Sequence, residues 1–276
     1  MHFCNSGRRC RHGLAALLLA AFLAVLPVRG RAADTAQVDS FTAGNMIFFF
    51  YHELGHALVA EFGIPVLGKE EDAVDQLATL LMLESYQADP SAAEYLSAAT
   101  KGWLVSWEQL NTGKVEDLPM WDEHSLDIQR FYGMVCLMYG ADPKAFGDLA
   151  KEAGLPDERA ANCADEYQAA LANWGAVLEP YLLPEDGKRP EGLGGRLALA
   201  YADPRDPAYA PMRTALAENG FLDAAVEDIN GSIGLPKDIP VSVEECGVEN
   251  AFWDPQAERI VICYELVQWY AQVPTN

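Results

Sequence analysis

The chain has 276 residues, with 41 Asp and Glu against 19 Lys and Arg, a formal net charge of −22. Such an acidic molecule repels nucleic acid and anionic membrane surfaces, so neither is an expected partner. The length suits one large domain or two small ones.

Residues 1–32 read as a secretory signal peptide. Arg8, Arg9 and Arg11 make a basic start, Gly13 to Val28 is rich in Leu and Ala, and Gly30-Arg31-Ala32 offers small residues for cleavage near Ala32. The apolar run is short for a membrane span, which sets an uncleaved anchor behind a cleaved leader. The expectation is a secreted or periplasmic protein with no membrane attachment after cleavage. Losing five arginines leaves 14 basic against 41 acidic residues. Four cysteines remain, and in an exported chain they suggest two disulfides, with Cys136–Cys163 and Cys246–Cys263 the favoured pairing. A cysteine zinc site is the rival, but no CxxC spacing supports it.

In chain order, Phe41 to Phe62 has no strict period and predicts a buried helix that ends near Gly63 and Pro65. Gly68 to Leu83 restarts as a helix with acids in its first turn, which suits the positive helix end. Helices follow over Ala92 to Leu110, Ser125 to Tyr139 and Asp157 to Tyr181. The stretch 184–212, with five prolines and four glycines, reads as a connection between two lobes. Arg213 to Asn230 is helical. Ile239 to Glu244 and Arg259 to Tyr264 read as strands, with the Asp-Pro segment "NAFWDPQAE" as a turn between two strands. A short helix over Glu265 to Gln272 closes the chain. The fold class is α+β, mostly α, with a small sheet in one domain spanning 33–276.

"HELGH", His52 to His56, matches H-E-x-x-H. Residues four apart on a helix lie one turn above each other, so both imidazoles face one way and can share a Zn²⁺. Glu53 lies on the neighbouring edge, placed to take a proton from water as a general base. Two helix histidines satisfied by backbone or water are the plain alternative. Against it stand the scarcity of histidine, five in the chain, and the cost of unpaired polar groups beside Phe48, Phe49 and Phe50.

A hydrolytic zinc site wants three protein ligands and one open position. The metzincin extension needs a further His six residues on, where Phe62 stands. The acid cluster Glu70, Glu71, Asp72 and Asp75 opens the next helix. Glu71 and Asp75 share a face as E-x-x-x-D, with Glu71 as the third ligand and Asp75 holding a ligand histidine's free nitrogen. Glu70 and Asp72 are the alternatives for the ligand, and a solvated helix start is the alternative for all of them.

The paired motifs resemble the gluzincin, thermolysin-like, metallopeptidases. More narrowly, "FFYHELGHAL", "PVLGKEEDAVDQLATLL", "WDEHSLDIQRFYGMVCLMYG" and "NAFWDPQAERIVICYEL" resemble a bacterial metallopeptidase family catalogued as a domain of unknown function. The resemblance implies a zincin-like fold, zinc ligands at His52, His56 and Glu71, and no particular substrate. A zincin layout puts a backing helix and the sheet before the active-site helix, whereas here they come last. Circular permutation is the simplest explanation, and it requires the C-terminal strand beside the HExxH helix and the surroundings of Val267 near Thr42.

His124, the remaining histidine outside the leader, is a candidate catalytic group that would steady an oxyanion; a helix cap or solvent exposure is the competing reading. Arg130 and Tyr132 are weaker candidates of the same kind. Tyr264 reads as a packed side chain and Glu265 as one facing solvent, Trp121, Phe252 and Trp253 as core, and Gly55 as room for a close helix. The expected activity is zinc-dependent hydrolysis of peptide bonds in peptide or protein substrates. The alternatives are a zincin-fold scaffold without turnover and a zinc amidase acting on cell-wall peptides.

Overall fold

The computed structural model describes residues 38–184 and 188–274. The leader expected at 1–32 lies outside the described residues. The first helix, α1 (Ser40–Phe62), is capped by Asp39, whose side chain accepts the Thr42 N–H, and it stops at Gly63 with φ +61°. Most of its side chains are buried whichever way they point. That accounts for the missing period: other elements surround the helix, so it has no single apolar stripe.

Helix α2 (Glu70–Ala88) runs against α1 and continues five residues past the expected end at Leu83. Helices α3 (Ala93–Leu110) and α4 (Asp127–Ala141) complete this helical side. After α4 comes α5 (Pro143–Glu152), which the sequence reading passed over. Asp142 accepts the Lys144 and Ala145 N–H groups, and Pro143 opens the first turn. The single helix expected over Asp157 to Tyr181 is divided into a turn, α6 (Asp157–Ala160), and α7 (Cys163–Leu178). The Cys136–Cys163 disulfide ties α4 to α7, and Cys246–Cys263 closes the second loop, the pairing expected.

The stretch 184–212 is more than a connection: it supplies strand β1 (Leu197–Tyr201). Its Arg189 guanidinium donates to the carbonyls of Gly195 and Asn230. The helix expected over Arg213 to Asn230 is two, α8 (Ala210–Asn219) and α9 (Phe221–Ser232), separated by Gly220 at φ +74°. Strands β2 (Ile239–Glu244), β3 (Ala251–Asp254) and β4 (Arg259–Cys263) follow. The segment read as a turn is thus itself a strand, β3, and only residues 255–258 turn.

The sheet is mixed, with order β1-β2-β4-β3: β1, β2 and β4 are parallel and β3 pairs antiparallel to β4. Helix α1 packs on β3 and β4. Helix α10 (Tyr264–Gln272) grows directly from β4 and returns to α1, where the Tyr270 ring lies 5.8 Å from both Phe41 and Phe49. The segments that a permuted layout needs as neighbours are therefore neighbours. The molecule is α+β, mostly α, with one small sheet. No helix among the described residues is long and apolar enough to cross a membrane.

Candidate metal centre

The middle of α1 and the first turn of α2 carry the site. His52 and Glu53 are almost wholly buried, 3% and 6% exposed. The His52 and His56 Nε2 atoms are 3.3 Å apart. Glu71 faces both, with one oxygen 3.1 Å from His52 Nε2 and the other 3.4 Å from His56 Nε2. Four ligands around a zinc with bonds of about 2.0–2.1 Å stand roughly 3.3 Å from one another. The three expected ligands already have that spacing.

Both imidazoles are oriented from behind. His52 Nδ1 donates to Asp75 Oδ1 at 2.8 Å, and His56 Nδ1 donates to Glu70 Oε1 at 2.8 Å. In the neutral ring each Nδ1 proton leaves its Nε2 as a lone pair. Two lone pairs at 3.3 Å repel unless a cation or a proton stands with them. Glu71 Oε2 is buried and has no hydrogen-bond partner, although His52 and His124 nitrogens approach to 3.1 and 3.0 Å. Short contacts without hydrogen-bond geometry are what donors to a shared ion make. The residues present therefore fit a metal ion.

The electrostatics agree. Burial works against a charged His56, but the Glu71 and Glu70 carboxylates outweigh it and raise its pKa to about 9. Glu71 raises His124 to about 9 as well, against partial burial. Burial would lift the Glu71 carboxyl, yet His124, His52 and His56 together hold it far below the usual range. The centre thus attracts positive charge, whether carried by protons or by a metal ion.

Asp75, which faces His52 Nδ1, is itself held in place. Arg130, from α4, grips both its carboxylate oxygens at 2.5 and 2.6 Å, and the guanidinium carbon lies 3.6 Å from the Trp103 ring centroid. The half-buried Asp75 carboxyl is pulled down by Arg130 and His52 against desolvation. Glu70, an alternative ligand in the sequence, orients His56 instead. Asp72, the other alternative, accepts the Ser125 hydroxyl.

Glu53 points one oxygen at strand β3, where it accepts the Trp253 N–H at 2.7 Å, and the other lies 4.0 Å from His52 Nε2. Burial raises its pKa, and the two histidines oppose the rise without cancelling it. His124 comes to the centre rather than to a helix cap: its Nε2 stands against Glu71, and Asp122 accepts from its Nδ1 at 3.0 Å. His52, Glu71 and His124 bring ligand atoms within 4.8 Å of one another, while His56 meets the opposite Glu71 oxygen.

Other candidates fall elsewhere. Tyr132 donates to the Ala153 carbonyl, away from the site. Tyr264 is buried and donates to the Ala202 carbonyl, and Glu265 accepts the Cys246 and Gly247 N–H groups. Trp253 and Phe252 are half-buried. Trp121, expected in the core, is 85% exposed, on a loop whose Pro119, Asp122 and His124 line the cleft.

The cleft beside the centre has a volume of about 470 Å³ and is walled by Trp103, Trp107 and Trp269 among others. Asp117, Asp122, Asp127 and Glu249 also line it. Among the described residues, Arg130 is its one Lys or Arg, and that side chain is committed to Asp75.

No curated protein and no solved structure matches the chain. One family model, DUF4344, described as a putative metallopeptidase, matches residues 25–178 and 201–275. The match covers most of the chain and includes every residue of the centre, and the protein belongs to that family.

Proposed function

We propose that the protein is an exported zinc metallopeptidase of the gluzincin type that cleaves peptide bonds in peptide or protein substrates. The observation that carries this reading is the convergence of His52, His56 and Glu71 at zinc-ligand spacing with the buried Glu53 carboxylate beside them. Bound there, zinc supplies the electrophile for a scissile carbonyl and makes water acidic enough to ionise near pH 7.

The chain's own residues do the rest. Asp75 and Glu70 keep the imidazoles in the tautomer that presents Nε2. The Trp253 N–H fixes Glu53, whose raised pKa makes it a better proton acceptor near neutral pH than an exposed glutamate. Strand β3 is a sheet edge, and Asn250 and Ala251 line the cleft. An extended peptide pairs with such an edge through its main chain, which favours a peptide over a small-molecule substrate. The order of elements is read as a permuted zincin layout. Two disulfides favour an oxidising compartment.

The test is zinc analysis of the purified protein together with hydrolysis of an unbiased peptide library. Stoichiometric zinc and cleavage abolished by chelation support the reading. A protein that takes up no zinc, or cleaves equally well without it, defeats it.

A further inference from the structure

The centre is more crowded than a hydrolytic site requires. Such a site has three protein ligands and an open position, yet a fourth donor stands here. His124 Nε2 lies 3.0 Å from Glu71 Oε2, a separation in the range of the ligand pairs already described.

His124 is held as the two HExxH histidines are held. His52 has Asp75 on Nδ1, His56 has Glu70, and His124 has Asp122, at 2.8, 2.8 and 3.0 Å. The same Asp122 oxygen accepts the His124 backbone N–H at 2.9 Å. A carboxylate on Nδ1 leaves the Nε2 lone pair of the neutral ring facing the centre in all three.

The loop that carries His124 is fastened to the turn that carries Glu71. Lys69 Nζ donates to the carbonyls of Asp122 and His124, each at 3.2 Å, and Ser125 Oγ donates to Asp72 at 2.6 Å. These contacts fix the loop backbone on both sides of His124. They distinguish His124 from a surface histidine that reaches a carboxylate by chance.

From this arrangement we infer that His124 is a fourth protein ligand of the same metal ion in the substrate-free protein. The inference rests on the zinc reading above and concerns the regulation of that site. His124 differs from the other ligands in being on a loop and in having a side chain 44% exposed, against 4% for His52. It is the donor best able to leave. A substrate entering the cleft then competes with His124 for the metal, so the resting site is closed by one of its own side chains.

The test uses the full chain, free of substrate, loaded with zinc or with cobalt(II), whose visible absorption reports coordination number and ligand type. Zinc affinity is measured by chelator competition for the wild type, His124→Ala and His52→Ala. His124→Ala is expected to bind zinc at least about 10-fold more weakly and to show an altered cobalt spectrum. Circular dichroism checks that the variant, changed at a partly exposed loop position, is folded. An unchanged spectrum and unchanged affinity in folded His124→Ala, with binding lost in His52→Ala, overturn the inference and leave the zinc reading standing. Unchanged affinity in His52→Ala as well overturns the zinc reading itself.

Discussion

Gly55 lies so close to Val74 that a Cβ on the glycine would come within 2.7 Å of the valine Cβ and 2.8 Å of its Cγ1. This contact joins α1, between the two histidines, to α2 between Glu71 and Asp75. It sets the distance across which two imidazoles and a carboxylate meet. Gly55→Ala is expected to push the helices apart, destabilise the fold by about 1–3 kcal/mol and weaken zinc binding. Gly133, in α4, has open space around it, so Gly133→Ala is expected to stabilise by roughly 0.5–1 kcal/mol and leave zinc binding alone. Denaturant unfolding and zinc titration compare the two, and equal behaviour would show that the α1–α2 approach does not govern the site.

Glu53→Gln keeps the shape of the side chain and removes the proton acceptor. The variant is expected to retain zinc while losing hydrolysis by about 10²- to 10⁴-fold, the range of a general base. Metal analysis beside a peptide assay checks both halves. Full activity in the variant would remove Glu53 from the reaction.

Asp75→Ala takes away the partner of His52 Nδ1 and strands the buried Arg130 guanidinium. Zinc affinity is expected to drop about 10- to 100-fold. Arg130→Met, which leaves Asp75 in place but unclamped, should weaken zinc less. A reversed order of the two effects would mean that Arg130 matters in its own right.

Removing the metal should soften the whole molecule, because the ligands sit on two packed helices and the unfolded chain has no assembled site. Zinc held at 1,000 times its dissociation constant stabilises by about 4 kcal/mol. Thermal unfolding with and without chelator should show that difference, recovered on adding zinc back. Identical melting in both conditions would contradict a zinc site in the folded core.

The acidic wall of the cleft, with Asp117, Asp122, Asp127 and Glu249 and one committed arginine, is expected to draw peptides carrying Lys or Arg. Their kcat/KM should exceed that of acidic peptides at low ionic strength, and the gap should narrow as salt is added. Salt-independent discrimination would point to shape rather than charge.

Much of the centre was legible in the chain because it is written at helical spacing. Four residues separate His52 from His56 and Glu71 from Asp75, and one turn of backbone decides that each pair shares a face. The buried character of α1 and the two disulfides were also open to sequence reasoning. The strand inside 184–212 was hidden by its prolines and glycines. The break at Gly220 was hidden by the helix formers on either side.

What tertiary packing alone decided is the set of contacts between residues far apart in the chain. The hydrogen bond from Trp253 to Glu53 spans 200 positions and the clamp of Arg130 on Asp75 spans 55. The presence of His124 at Glu71 depends on how the loop before α4 is tied down by Lys69 and Asp72. A local motif states which side chains share a face because the helix has a fixed pitch. Which other elements meet that face is chosen by the burial of the whole core, and no short stretch of sequence contains that choice.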